Sequence, residues 1–303
     1  MPNVKRITPC LWFEDQAEEA ATFYTSTFAN SKLGSVTRYG REGHEVHGRP
    51  EGTVMTVQFE VAGLPFTALN GGPHFRFTPA TSFFVNCESA SELDALWEKL
   101  SSGGSLLMPL QSYPFSERYG WVSDRYGLSW QLNLANSPQA IVPFLMFVGT
   151  QNGRAEEAAR FYASVFENSG VETIEHFGAE DDVTEGTVKR ALYSLDGQEF
   201  MALDGGLAHD FTFTEAVSFM VGCESQKEVD YFWGKLSEGG DERAQQCGWL
   251  KDKFGVSWQV VPDELGELVG GPDSEKSQRA VKAMLRMKKI DIGEIRRAYQ
   301  GAI

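Results

Sequence analysis

The segment AEEAATFYTSTFANS at Ala17–Ser31 returns as AEEAARFYASVFENS at Ala155–Ser169, identical at eleven of fifteen positions. A repeat of that length constrains the fold more than any other feature, because whatever the first copy builds the second must build again. FTALNGGPHF at Phe66–Phe75 answers FMALDGGLAH at Phe200–His209, and TSFFVNCES at Thr81–Ser89 answers VSFMVGCES at Val217–Ser225. GWVSDRYGLSWQL at Gly120–Leu132 answers GWLKDKFGVSWQV at Gly248–Val260, and the offset drifts from 138 to 128 residues as loops change length around a kept framework. Copy one is drawn at Val4–Ala135, copy two at Gln139–Pro262 and a linker at Asn136–Pro138, which suits 303 residues as about two domains.

Within each copy the order strand, helix, several strands occurs twice. ITPCLWF reads as a strand, and in AEEAATFYTSTF the apolar Ala20, Ala21, Phe23, Tyr24 and Phe28 recur at helical spacing. TVMTVQFEVAG and LPFTALNGG alternate and end in glycine turns. TSFFVNCES reads as a strand, and SASELDALWEKLSSGG as a helix with Ser91 as its cap and a stop at Gly103 and Gly104. The expected class is α+β: four βαβββ modules.

Past Pro262 the composition changes. Asp273–Ile303 holds eight Lys or Arg against four Asp or Glu, so it carries +4 and the rest of the chain -19. Ala280, Val281, Met284 and Leu285 form an apolar stripe, and Asp291 with Glu294 reads as the start of a second short helix. This helical tail is expected to dock on the acidic body.

The overall formal charge of -15 argues against a duplex nucleic-acid partner, since phosphate recognition needs clustered cations. The N-terminus lacks the apolar run and cleavage site of a signal peptide, and no stretch is apolar enough to span a membrane, so a cytoplasmic location is expected. Cys10, Cys87, Cys223 and Cys247 show no CxxC spacing; the matched Cys87 and Cys223 read as small buried hydrophobes.

The AEEAxxFYxSxFxNS helix, the NGGPHF turn, the SFxVxCES strand and the GWLKDKFGVSWQ ending resemble the PhnB-like proteins of the vicinal oxygen chelate superfamily, which includes glyoxalases, bleomycin-resistance proteins and extradiol dioxygenases. The resemblance covers both copies. It implies that two βαβββ units curl into one cup-shaped sheet around a ligand cavity, with four units giving two such cups or barrels. Such proteins have also been labelled 3-demethylubiquinone methyltransferases, but no GxGxG turn opens a helix after a first strand, as a nucleoside cofactor would want.

Enzymes of the superfamily hold a divalent metal with His and Glu from a first strand, a partner strand and a last strand, leaving coordination positions open for substrate. The last-strand motif D-x-x-G-x-x-x-E corresponds here to Asp124, Gly127 and Gln131, and to Asp252, Gly255 and Gln259; Gln replaces Glu twice. The first-strand position falls near Pro9 and Pro143, the partner-strand position at Ser82 and Ser218. Neutral amides and hydroxyls suit Fe, Ni or Zn poorly, so neither a metal nor another cofactor is expected. His44 and His47 have metal-compatible spacing, but lie in a Gly-rich loop that copy two lacks.

Strand alternation puts Ser129, Gln131 and Asn133 on one face and Trp130, Leu132 and Leu134 on the other. Copy two keeps Ser257 and Gln259 but has Val261 for the Asn, which predicts a drier cavity. Asn70 and Asp204, beside Gly-Gly turns, and Trp121 and Trp249 complete the ligand-facing candidates, with Ser82 and Ser218. His74 and His209 are the candidate proton-transfer groups, because histidine titrates near neutrality. The expected activity is metal-free binding of a small planar or apolar ligand; a superfamily-type enzyme, using those histidines or unusual metal ligands, is the alternative. A homodimer and an intramolecular pseudo-dimer both remain open.

Overall fold

A computed structural model of the chain describes residues 6–135, 140–181, 183–206, 208–271 and 274–302. The linker Asn136–Pro138 and the boundary residues Val4, Gln139, Asp273 and Ile303 lie outside them.

The four expected modules are present. The first holds β1 (Ile7–Phe13), α1 (Ala17–Thr27), β2 (Lys32–Arg38), a one-turn α2 (His44–His47), β3 (Val54–Val61) and β4 (Leu64–Asn70). The second holds β5 (Thr81–Cys87), α3 (Ala90–Ser101), β6 (Ser105–Tyr113), β7 (Ser116–Ser123) and β8 (Ser129–Leu134). The third holds β9 (Ala140–Phe147), α4 (Ala155–Val165), β10 (Gly170–His176), β11 (Val188–Leu195) and β12 (Gln198–Asp204). The fourth holds β13 (Val217–Cys223), α5 (Gln226–Ser237), β14 (Asp241–Gln246), β15 (Trp249–Lys251) and β16 (Ser257–Pro262), and the tail adds α6 (Leu265–Gly270), α7 (Ser274–Met284) and α8 (Ile292–Gln300).

The sheets do not follow the copies. One eight-stranded sheet runs β14-β15-β16-β13-β1-β4-β3-β2 and the other β10-β11-β12-β9-β5-β8-β7-β6. Sheet one thus joins the first module to the fourth, and sheet two the second to the third, through the antiparallel pairs β1·β13 and β5·β9. Both are open cups with edge strands, not closed barrels.

The cores do follow the copies. Tyr24, Phe59, Phe66, Phe83, Trp130 and the inner faces of α1 and α3 make one cluster; Tyr162, Phe200, Phe219, Trp258 and the inner faces of α4 and α5 make the other. Each copy therefore packs the helix-bearing faces of its two modules together, and lends their other faces to two different cups.

A buried carboxylate pins each core. Asp124 accepts from the Tyr24 hydroxyl (2.8 Å), the Trp130 indole (2.9 Å) and the backbone N–H groups of Tyr126 and Leu128. Asp252 repeats this with the Tyr162 hydroxyl (2.6 Å), the Trp258 indole (2.8 Å), Phe254 and Val256. Gly127 and Gly255, at φ of 88° and 87°, close the two turns in the left-handed region that favours glycine. The Asp-x-x-Gly of the motif thus ties the helix of one module to the last strand of the next.

The cap of α3 is Ser89, not Ser91: its hydroxyl accepts from the Glu92 N–H while Glu92 reaches back to the Glu88 N–H, a reciprocal box two residues earlier than expected. Asp291 caps α8 through the Glu294 N–H as expected. The tail docks on the body: Met287 and Lys288 carbonyls accept from the Cys247 and Gly248 N–H groups, Lys289 pairs with Asp230 and Arg296 with Glu264, and Val261 packs under Leu265, Ala280 and Ile295. At the far side Gln278 accepts from the Glu42 N–H, so α7 reaches from the β14–β15 turn to the loop after β2. Truncation after Asp263 is expected to cost about 2–4 kcal/mol in urea denaturation, from exposing Val261 and the body surface under the tail and losing the hydrogen bonds between them; wild-type stability in the truncated chain would show the docking to be idle. No helix among the described residues is long and apolar enough to cross a membrane.

Candidate functional site

Each strand that meets the helices on one face turns its alternate residues into the cup. On β8, Trp130 and Leu132 enter the core, so Ser129, Gln131 and Asn133 face the cup as expected; on β16, Ser257 and Gln259 do the same. Ser82 and Ser218 share that face, opposite Phe144 and Cys10 respectively in the antiparallel register. The first-strand positions are therefore Cys10 and Phe144, one residue beyond Pro9 and Pro143. A shift of one residue moves a side chain to the other face of a strand.

In sheet two the polar groups satisfy one another. The Gln131 amide donates to Ser82 Oγ (2.8 Å) and accepts from the Tyr119 hydroxyl (2.7 Å), while the Trp121 indole donates to Ser129 Oγ (2.7 Å). Asn133 donates to Asn86 (3.0 Å). Phe144, Met146 and Val148, with Phe84, Trp121, Met201 and Leu203, fill the space above them. In sheet one the Gln259 amide donates to Ser218 Oγ (2.9 Å), with the Cys10 thiol beside the pair; burial pushes that thiol up to about 11, so it is neutral. Cys247, which stands where copy one has Tyr119, turns its sulfur to the Met284 carbonyl of the tail.

A family model described as 3-demethylubiquinone-9 3-methyltransferase matches residues 5–133 and again 139–261. The chain belongs to this family. It is a tandem-duplicated PhnB-like protein. It is similar to the PhnB protein from Bacillus cereus, with 45% identity over 42% of this chain and 98% of that one and a TM-score of 0.39. Glyoxalase I from Zea mays, 11% identical, shares the fold over 84% of this chain and 91% of that one with a TM-score of 0.52. A comparison with curated proteins finds no match.

The PhnB-like cups do not fit the metal of the superfamily's enzymes. Its three positions hold Cys10, Ser218 and Gln259 in sheet one and Phe144, Ser82 and Gln131 in sheet two, offering no imidazole, carboxylate or thiolate. Among the described residues no three His, Cys, Asp or Glu side chains converge to hold an ion. His47 packs on Tyr39 with ring centroids 4.3 Å apart, and no third ligand joins it and His44.

Several candidates lie elsewhere. Asn70 and Asp204 share the core face with Phe66 and Phe200, and they hold helix starts: Asn70 accepts from the Ala17 N–H (2.8 Å), and Asp204 from those of Gly153, Ala155 and Val188. The close approach that the Gly-Gly turn permits is made by Trp12, whose ring leaves no room for a Cβ on Gly71. His74 is exposed at the edge of Trp12, whereas His209 lies against Phe211 with its Nε2 buried and without a partner. Trp121 does wall its cup, and Trp249 meets Trp12 edge-on at 5.8 Å.

A cavity of about 720 Å³ opens on the inner face of sheet one, lined by Thr8, Gln58, Thr67 and Met220, with Arg6 and Lys32 at its rim. Its polar lining reverses the expected dryness of the cup containing Val261. That expectation assigned each cup to one copy, whereas β1, β3 and β4 of copy one supply these residues. They were overlooked in the sequence, although the alternation in LPFTALN already set Thr67 opposite in facing to Phe66 and Ala68.

Proposed function

We propose that this protein binds a small planar or apolar molecule within a cup and does so without a metal. The observation that carries the reading is the occupancy of both would-be metal positions by hydrogen-bonded amide and hydroxyl groups, together with a cavity of about 720 Å³ in the cup of sheet one, a size suited to a small ligand. Stoichiometric Fe, Mn, Ni or Zn in the purified protein would sink it, as would the absence of any thermal shift across a broad metabolite and antibiotic panel.

An enzyme using His74 or His209 as general base is less well supported, because Gln131 bonds to Ser82 and Tyr119 and Gln259 to Ser218, and none of them to either histidine. Methyl transfer, named in the family description, finds no support in the turns after the first strands: β1 passes to α1 through Glu14–Gln16 without a glycine, and the turn from β9 to α4 holds Gly149 and Gly153 but no GxGxG run of the kind a nucleoside cofactor would want.

The geometry also predicts a gain. Cys10→His, Ser218→His and Gln259→Glu together place two imidazoles and a carboxylate on adjacent strands, and the triple variant is expected to bind one Co²⁺ with visible absorption bands, whereas the parent shows none. Failure of a folded triple variant to bind Co²⁺ would show that these three positions do not converge.

A further inference from the structure

Copies of one sequence need not make equal cups. In sheet one Ser257, Ser218, Cys10, Thr67 and Gln58 are register partners in one continuous row across five strands. The equivalent row of sheet two reads Ser129, Ser82, Phe144, Met201 and Leu192. Partners directly across neighbouring strands lie on the same face, so the first row is polar from end to end and the second turns apolar after two residues.

Hydrogen bonding separates the cups further. Ser129 is satisfied by the Trp121 indole, and Gln131 by Tyr119 and Ser82. Ser257 is only 1% exposed, yet its hydroxyl has no partner, because Trp249 has turned to Trp12. A buried hydroxyl without a partner is uncommon in native proteins and calls for an explanation such as an absent ligand. The cavity of sheet one reaches this row at Thr67 and Gln58. None of the five row residues is ionised: the thiol is held neutral by burial, and the rim cations are already taken, Arg6 by Asp196 and Glu228 and Lys32 by Glu60. An anionic ligand group buried here would have no free counter-ion, and Glu224 and Asp263, which also line the cavity, would repel it.

We infer that the cup of sheet one alone takes the ligand, a molecule without an anionic group that has a flat apolar body and a carbonyl or hydroxyl edge entering at Gln58 and Thr67 and directed along the row toward Ser257, while the cup of sheet two is structural. This rests on the binding function proposed above and adds to it which cup is used and what chemistry the ligand has.

Nile red, an uncharged planar ketone, serves as the probe in a fluorescence titration of the full chain. One equivalent is expected to bind. Thr67→Trp, which fills the cavity, abolishes binding, and Met201→Trp at the matched position of the other cup leaves it unchanged. Ser257→Ala, which removes a hydroxyl that bonds to nothing in the free protein, folds with an undiminished thermal midpoint and weakens binding about fivefold, the worth of one hydrogen bond. Two equivalents, loss of binding in Met201→Trp with retention in Thr67→Trp, or an unchanged affinity in Ser257→Ala would overturn the assignment while leaving small-molecule binding intact. Tighter binding of anionic anilinonaphthalene sulfonate at the same cup would overturn the exclusion of anionic ligands. No Nile red binding by the parent chain overturns both the assignment and the binding function.

Discussion

Asp252→Ala is expected to lower the unfolding free energy by about 3–5 kcal/mol near neutral pH, measured by urea denaturation. The substitution leaves the Tyr162 hydroxyl, the Trp258 indole and the N–H groups of Phe254 and Val256 without their acceptor inside a wholly buried cluster. Each such group costs about 1–3 kcal/mol, but the sum is offset in part because the carboxylate is itself expensive to bury. Burial pushes its carboxyl up to about 6, although four donors pull the other way. The sign of the resulting pH dependence follows from that. Between the unfolded value near 3.9 and the folded value near 6, the native carboxyl keeps a proton that the unfolded chain has released, so this group's contribution to stability is fully present below about pH 4 and is lost as pH rises through about 6. Asp252→Asn cannot titrate. The stability advantage of the parent over Asp252→Asn should therefore shrink by about 2–3 kcal/mol between pH 4 and pH 7. Parallel pH profiles for the two proteins would show that the carboxyl titrates normally.

Much of this architecture is legible in the sequence, and its gaps have physical causes. The modules could be read because each βαβββ unit is written in local patterns of period two and period 3.6. The faces of β8 could be read because large apolar and small polar residues alternate there. The face of β1 could not, since both its sides are buried, with Pro9, Cys10 and Leu11 all inaccessible in succession, and no alternation survives to fix a one-residue register. Asn70 and Asp204 misled for a related reason: a polar residue at the end of a strand suggests a ligand-facing group, while its place in the alternation puts it with the core, where a helix start needs an acceptor. Which modules share a sheet was hidden altogether. TSFFVNC and VSFMVGC carry one pattern of buried and half-buried positions, so either could lie beside β1. Only the complete set of long-range pairings decides, and the chemistry of each cup depends on that decision.

That same ambiguity makes copy one, expressed alone as residues 4–135, an expected homodimer. Its core closes on itself apart from Ile141 and Val217, so the copy has what it needs to fold. What it loses is the partner of each central strand: β1 gives up five register pairs with β13, and β5 gives up six with β9. Left bare, these inner strands would present unpaired N–H and C=O groups beside apolar side chains, a surface that seeks another strand. A second copy supplies it. In the intact chain Ile7, Thr8, Pro9, Cys10 and Leu11 lie opposite Val221, Met220, Phe219, Ser218 and Val217. β5 of a second molecule would offer Val85, Phe84, Phe83, Ser82 and Thr81 in that order, keeping three of the five residues and altering the others modestly in size. A two-fold axis makes this exchange twice at once, so both seams close in a single dimer and no edge is left to extend a chain of molecules. Sedimentation equilibrium at about 10 μM, a concentration at which two β-seams of this kind should hold, is expected to return twice the mass of the fragment. A folded, stable monomer there would mean that the core alone sustains the copy and that the shared sheets contribute little to it.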